Sequence, residues 1–128
     1  MSDRPLILIV EDDLTVQGLL DTLMQMEGYE TLTAKDGLEG LLKAEFRHPS
    51  LILLDVMMPN VDGERVLDEL HARSDLAGVP VLIVTGRADA HASFDPVVGH
   101  DNVITKPFDA GALAHRVAQL LGTARGDQ

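Results

Sequence analysis

The chain contains no cysteine, so it has neither a disulfide framework nor thiol chemistry. Positive charge is scarce. Ten Lys and Arg stand against 21 Asp and Glu, for a formal net charge of -11. That balance argues against direct nucleic-acid binding by this chain, because phosphate recognition needs clustered Lys and Arg. Most of the negative charge serves solubility, and part of it is available for a cation site where several carboxylates come close together. No apolar run approaches the roughly 20 residues of a membrane span. The N-terminal run Leu6–Val10 is too short for a signal peptide and ends in acids. These absences point to a cytoplasmic protein with no membrane association. No internal repeat, linker or low-complexity tract interrupts the 128 residues. That length suits one domain with a real core. The expected core spans about residues 6–121, with 122–128 as a frayed tail.

Hydrophobic residues make up 45% of the chain, as in ordinary globular proteins. They fall in short aliphatic runs alternating with helical patterns. Leu6–Val10, Leu51–Leu54 and Pro80–Val84 read as strands buried on both faces. Tyr29–Ala34 and Asn102–Thr105 read as two further strands. The first helix begins after an Asp13 cap, turns Val16, Leu19, Leu20, Leu23 and Met24 inward, and stops at Gly28. The second opens at Asp36, with Leu38, Leu41, Leu42 and Phe46 inward, and ends at His48-Pro49. A turn at Asn60–Gly63 leads into a third helix carrying Val66, Leu67 and Leu70. Asp109 caps a last helix with Leu113, Val117, Leu120 and Leu121 on one face, closed by Gly122. Between Ala88 and Asp101 the pattern is poor. Two turns of helix fit Ala88–Ser93, but Pro96 and Gly99 predict a short or irregular fourth helix. Five alternations of strand and helix predict an α/β fold, a doubly wound parallel sheet covered on both faces.

The polar residues that end the strands carry the chemistry. Glu11, Asp12 and Asp13 follow the first strand, Asp55 the third, Thr85 the fourth and Lys106 the fifth. In open α/β sheets, ligands bind at the carboxyl ends of the strands, so these groups can converge. Singly, each has a plain structural use: an acid caps the next helix, a lysine lies on the surface. Their joint occurrence at four strand ends favours a site. Clustered carboxylates repel one another, and a divalent cation removes that conflict. Oxygen-only ligands select a hard ion such as Mg²⁺. A cation, an ammonium and a hydroxyl around one carboxylate are the parts needed to stabilise a transferring phosphoryl group, with Asp55 as nucleophile.

At these residues the sequence resembles the receiver domain of bacterial two-component response regulators. The likeness rests on Ile9-Val10-Glu11-Asp12-Asp13, Leu53-Leu54-Asp55-Val56-Met57-Met58-Pro59 with Asp62-Gly63, Thr85-Gly86, and Thr105-Lys106-Pro107-Phe108. It covers about Leu6 to Leu121. The resemblance implies a flavodoxin-like strand order 2-1-3-4-5. It implies that Asp55 is the phosphoacceptor, fed by a sensor histidine kinase or histidine phosphotransfer protein. Glu11 and Asp12 are then the acid pair for Mg²⁺, with Asp55 and the Met57 backbone carbonyl as further ligands, while Asp13 is left as the helix cap. Thr85 and Lys106 sense the phosphoryl group, and the Lys106-Pro107 peptide is expected to be cis. Such a protein is a regulatory phosphoacceptor acting on a downstream protein target, not a turnover enzyme. Nothing in the residues fixes an oligomeric state, so a homodimer stays among the readings.

Two departures stand out. Receivers usually carry Tyr or Phe three residues before the lysine, where this chain has Val103. The segment leading to it lacks a regular helical pattern. These features favour an alternative, a receiver-fold interaction module whose output is independent of phosphate or coupled to it by another route. A phosphatase of the Asp-x-Asp type fits badly, because Met57 cannot act as a general acid. A nucleotide-binding module fits worse, since no Gly-rich loop follows the first strand.

Overall fold

The computed structural model describes residues 4–58 and 63–122. The expected Asn60–Gly63 turn, apart from Gly63, and the Thr123–Gln128 tail lie outside the described residues. The elements are β1 (Leu6–Val10), α1 (Leu14–Met26), β2 (Glu30–Ala34), α2 (Gly37–Arg47), β3 (Leu51–Leu54), α3 (Gly63–Ala72), β4 (Val81–Thr85), α4 (Ala90–Val98), β5 (Val103–Thr105) and α5 (Ala110–Leu121). A single 3₁₀ turn, His100–Asn102, joins α4 to β5. All four strand pairings are parallel, in the order β2-β1-β3-β4-β5. This is the α/β fold that the alternation of strands and helices predicts, in the strand order that the resemblance implies.

The period-two alternation of the strands divides the aliphatics between two cores. Leu8, Val10, Ile52, Leu54 and Ile83 face α2, α3 and α4. Ile7, Ile9, Leu51, Leu53, Leu82 and Val84 face α1 and α5. Because β1, β3 and β4 are buried on both sides, their sequences are continuous rather than alternating.

The helices depart from expectation in two respects, the faces that α1 and α2 bury and the extent of α4. In α2 the buried residues are Gly37, Gly40, Leu41 and Ala44, while Leu38, Leu42 and Phe46 point outward. The cause is close packing. A Cβ on Gly40 would lie 2.9 Å from Val10 Cγ2, so the helix approaches the sheet through small residues. Leu19 of α1, also expected inward, is exposed, whereas Leu20 and Met24 are buried. The second difference is α4. At nine residues it is the shortest of the described α-helices, as expected, but it runs beyond the two turns expected, past Ser93 and through Pro96. A proline inside a helix forfeits a backbone hydrogen bond and costs about 3 kcal/mol. Burial of Ala90 and Phe94 against the sheet offsets that loss.

Candidate functional site

Parallel pairing brings the C-terminal ends of all five strands to one edge of the sheet. Glu11 follows β1 directly and is fixed there by its backbone N–H, which donates to the Ala34 carbonyl of β2 (3.0 Å). Asp55 follows β3 and donates its N–H to the Val10 carbonyl (3.0 Å). Lys106 follows β5 and donates its N–H to the Thr85 carbonyl (2.8 Å). The Lys106-Pro107 peptide is cis, as the resemblance implied.

The side chains meet across this edge. Lys106 Nζ donates to Glu11 Oε1 at 2.8 Å and to Asp55 Oδ2 at 2.9 Å. Glu11 and Asp55 are buried, at 1% and 5% exposure. Asp12 is exposed, and one carboxylate oxygen each from Glu11, Asp12 and Asp55 lies within 4.8 Å of the others. Burial raises the Glu11 carboxyl above its ordinary value, and the charge of Asp55 adds to the rise. The Lys106 hydrogen bond and the Asp13 N–H pull against it. For Lys106, burial acts downward, but the hydrogen bonds to Glu11 and Asp55 prevail and hold its ammonium above the ordinary lysine value.

Asp13 sits outside this group. Its Oδ1 accepts from the N–H groups of Thr15 and Val16, so it is the N-cap of α1. Met57 is present through its backbone N–H, which donates to Asp55 Oδ1 at 2.8 Å. Thr85 is fully buried at the end of β4, and its hydroxyl accepts from the Arg87 N–H at 3.3 Å. Val103 is buried in the same core cluster as Ala90 and Phe94 of α4.

Two supporting residues were not legible as such. Gln17 Nε2 donates to the Glu11 carbonyl (2.9 Å) and the Ala34 carbonyl (3.3 Å), tying α1 to the strand ends. A polar side chain one turn after the Asp13 cap is its only trace in sequence. Arg87 pairs with Glu64 of α3 and with Asp89 just before α4, and its guanidinium lies 5.4 Å from the Phe94 ring centroid. This arginine braces the two helices beside Thr85.

The donor set fits a hard divalent cation. It consists of carboxylate oxygens, and three carboxylates face one ammonium, a deficit of two positive charges. A cluster of acids with a fixed lysine thus stands at the carboxyl edge of a doubly wound sheet, where this class of fold binds its ligands. Comparison with known proteins agrees. The family model described as the response regulator receiver domain matches residues 7–118, and the chain belongs to that family. The probable transcriptional regulator ycf27 of Cyanophora paradoxa is 38% identical over 116 residues, covering 90% of this chain and 47% of that protein. The alkaline phosphatase synthesis transcriptional regulatory protein PhoP of Bacillus subtilis is 38% identical over 119 residues, covering 90% and 48%. The chain thus spans about half the length of these curated relatives. Among solved structures, a CheY-like receiver domain protein from Methanospirillum hungatei superposes with a TM-score of 0.85 at 28% identity, covering 98% of this chain and all of that one. The family is a regulatory fold of two-component signalling, and its members generally bind Mg²⁺ at an acidic pocket. Among the described residues, no helix is long and apolar enough to cross a membrane.

Proposed function

We propose that this chain is a phosphorylation-dependent switch that accepts a phosphoryl group on Asp55 from a histidine kinase or histidine phosphotransfer protein. The observation that carries the reading is the Lys106 ammonium held between Glu11 and Asp55. One Asp55 carboxylate oxygen attacks phosphorus while the phosphorus–nitrogen bond of the donor imidazole breaks, its electron pair leaving with the ring nitrogen. Glu11, Asp12, Asp55 and the Met57 carbonyl would hold Mg²⁺. The ion supplies charge neutralisation at the phosphoryl oxygens. Lys106 gives up a carboxylate contact and pairs with a phosphoryl oxygen, and the Thr85 hydroxyl donates to another. An apolar groove lined by Val16, Leu19, Pro107, Phe108 and Ala110 opens beside Lys106 and would seat the donor. The working compartment is the cytoplasm, the output a protein target, and the core of about residues 6–121 acts as one receiver unit.

The alternative is an interaction module with atypical coupling, and Val103 favours it. A valine has no ring to swing inward. Thr85 has a second physical link outward, however, through the Arg87 N–H and the Arg87 guanidinium over Phe94. Intact mass after incubation with Mg²⁺ and a small phosphodonor separates the readings. A gain of one phosphate, lost in Asp55→Asn and abolished by chelator, supports the switch. No gain with any donor makes the interaction module the better account.

A further inference from the structure

A second cluster of ligating side chains lies away from the acid pocket, where α4 runs into the 3₁₀ turn. His91 and Asp95 are one helical turn apart and share a face. Gly99 then takes φ 96°, a conformation that strains residues bearing a side chain, and the chain doubles back so that His100 reaches the same carboxylate. His91 Nδ1 lies 2.8 Å from Asp95 Oδ1, and His100 Nδ1 lies 2.7 Å from Asp95 Oδ2. The two imidazoles stack, with ring centroids 4.4 Å apart. One ligating atom from each of the three residues lies within 4.8 Å of the other two. The turn is braced from behind. Asn102 Nδ2 donates to the Val98 carbonyl (2.8 Å), and Arg116 Nε of α5 donates to Asn102 Oδ1 (2.9 Å).

We infer that His91, Asp95 and His100 form a site for a late first-row divalent cation of the Zn²⁺ class. With both rings neutral, each Nδ1–H donates to its own Asp95 oxygen, and a bound cation would take the place of those two protons. A cation that takes a lone pair from each ring and an oxygen from Asp95 satisfies all three at once. The nitrogen-rich donor set selects Zn²⁺ and its neighbours over Mg²⁺, so this site and the oxygen-only pocket differ in ligand chemistry. Three protein ligands leave a fourth position for water or a partner's side chain. The bracing through Asn102 and Arg116 holds His100 in place before the ion arrives, which lowers the ordering cost of binding. His100 and His91 are 72% and 41% exposed at their side chains, giving the ion an open approach. A bound ion ties α4, through His91 and Asp95, to the turn that feeds Val103.

The test uses the whole chain with excess Mg²⁺ to fill the acid pocket. Zn²⁺ is titrated against a chromophoric chelator, and Co²⁺ serves as a spectroscopic probe. The expected result is uptake of one equivalent, a visible Co²⁺ band, and affinity at least about tenfold weaker in His100→Ala and in His91→Gln. His100 is exposed, so its variant should keep the wild-type circular dichroism. Absence of uptake overturns the inference. So does uptake that survives both histidine substitutions but is lost in Glu11→Gln, which would place the ion in the acid pocket.

Discussion

Gly63→Ala and Gly18→Ala make the same chemical change and should move stability in opposite directions. Gly63 opens α3 directly against the segment that carries Asp55. A Cβ there would lie 2.3 Å from Val56 Cα and 2.6 Å from Val56 Cβ, where ordinary contact begins at 3.4 Å. The obstacle is backbone, so relief requires the start of α3 to shift by about an ångström. Overpacking of this kind costs about 1–3 kcal/mol, and a backbone obstacle puts the cost near the upper end. With an unfolding entropy of roughly 2 cal/mol/K per residue, each kcal/mol moves the melting temperature of a domain this size by about 4 °C. Gly63→Ala should therefore melt about 10 °C lower. Gly18 is exposed inside α1 with nothing within 4 Å of its would-be Cβ. Alanine there should stabilise by about 0.5–1 kcal/mol, a rise of about 2–4 °C. Thermal and urea unfolding followed by circular dichroism measure both. Because Val56 is the neighbour of Asp55, Gly63→Ala should also slow phosphate uptake from a small donor, while Gly18→Ala leaves it unchanged. A Gly63→Ala chain within about 0.5 kcal/mol of wild type would refute the close approach of α3 to Val56.

Phe94→Ala should cost about 3–5 kcal/mol in urea unfolding, since the ring is 2% exposed and anchors α4; a loss under about 1 kcal/mol would mean that other contacts hold the helix. Lys106→Met removes the ammonium from two buried carboxylates, which costs about 3 kcal/mol at neutral pH in the presence of chelator. Losing the lysine also lifts the Glu11 carboxyl further above 4.5. A raised carboxyl contributes stability below its unfolded value and loses it as pH rises through the folded value, so the variant's deficit should be smaller at pH 4 than at pH 7; a deficit flat in pH would count against the electrostatic account. Glu39 has the opposite sign. Its carboxylate accepts from the Lys35 N–H at 2.7 Å and pairs with Lys43, which holds it below 4.5. Its stabilisation is present above 4.5 and fades as pH falls through the lowered value, so Glu39→Gln should flatten the acid limb of the stability curve, and NMR titration of Glu39 should give a midpoint under 4.5.

The strands and the pocket were legible because their signals are local. A continuous aliphatic run cannot face water on either side, and a carboxylate set directly after it can only emerge at the sheet edge. Glu11, Asp55 and Lys106 meet as that reasoning requires. The inner face of α2 was not legible, because hydrophobic periodicity picks out Leu38, Leu42 and Phe46, while the helix is seated through Gly37, Gly40 and Ala44. Small residues at the same spacing carry the information, but only the approach to Val10 reveals that they are the contact face. The length of α4 was hidden for a different reason. Pro96 is a local penalty, and the burial of Phe94 that offsets it is a tertiary gain that no window of sequence contains. The grouping of His91, Asp95 and His100 depends on the backbone of Gly99, so the three residues read as unrelated until the turn is seen.

The distribution of buried polar side chains says why the pocket exists. Among the described residues, the buried polar and charged ones are Glu11, Asp55 and Thr85, and each ends a strand on the same sheet edge. Elsewhere the interior is apolar, with Leu, Ile and Val predominating on both faces of the sheet. Burying a charge costs free energy unless it is fully paired, and a well-packed apolar residue in its place is often neutral or stabilising. Stability alone would therefore put aliphatics at these three positions, as it does along the buried strands β1, β3 and β4. Instead the fold keeps a carboxylate whose pKa burial has raised, and holds it with a lysine shared between two acids. A cost confined to one edge, and to residues of complementary charge, answers to chemistry rather than to folding.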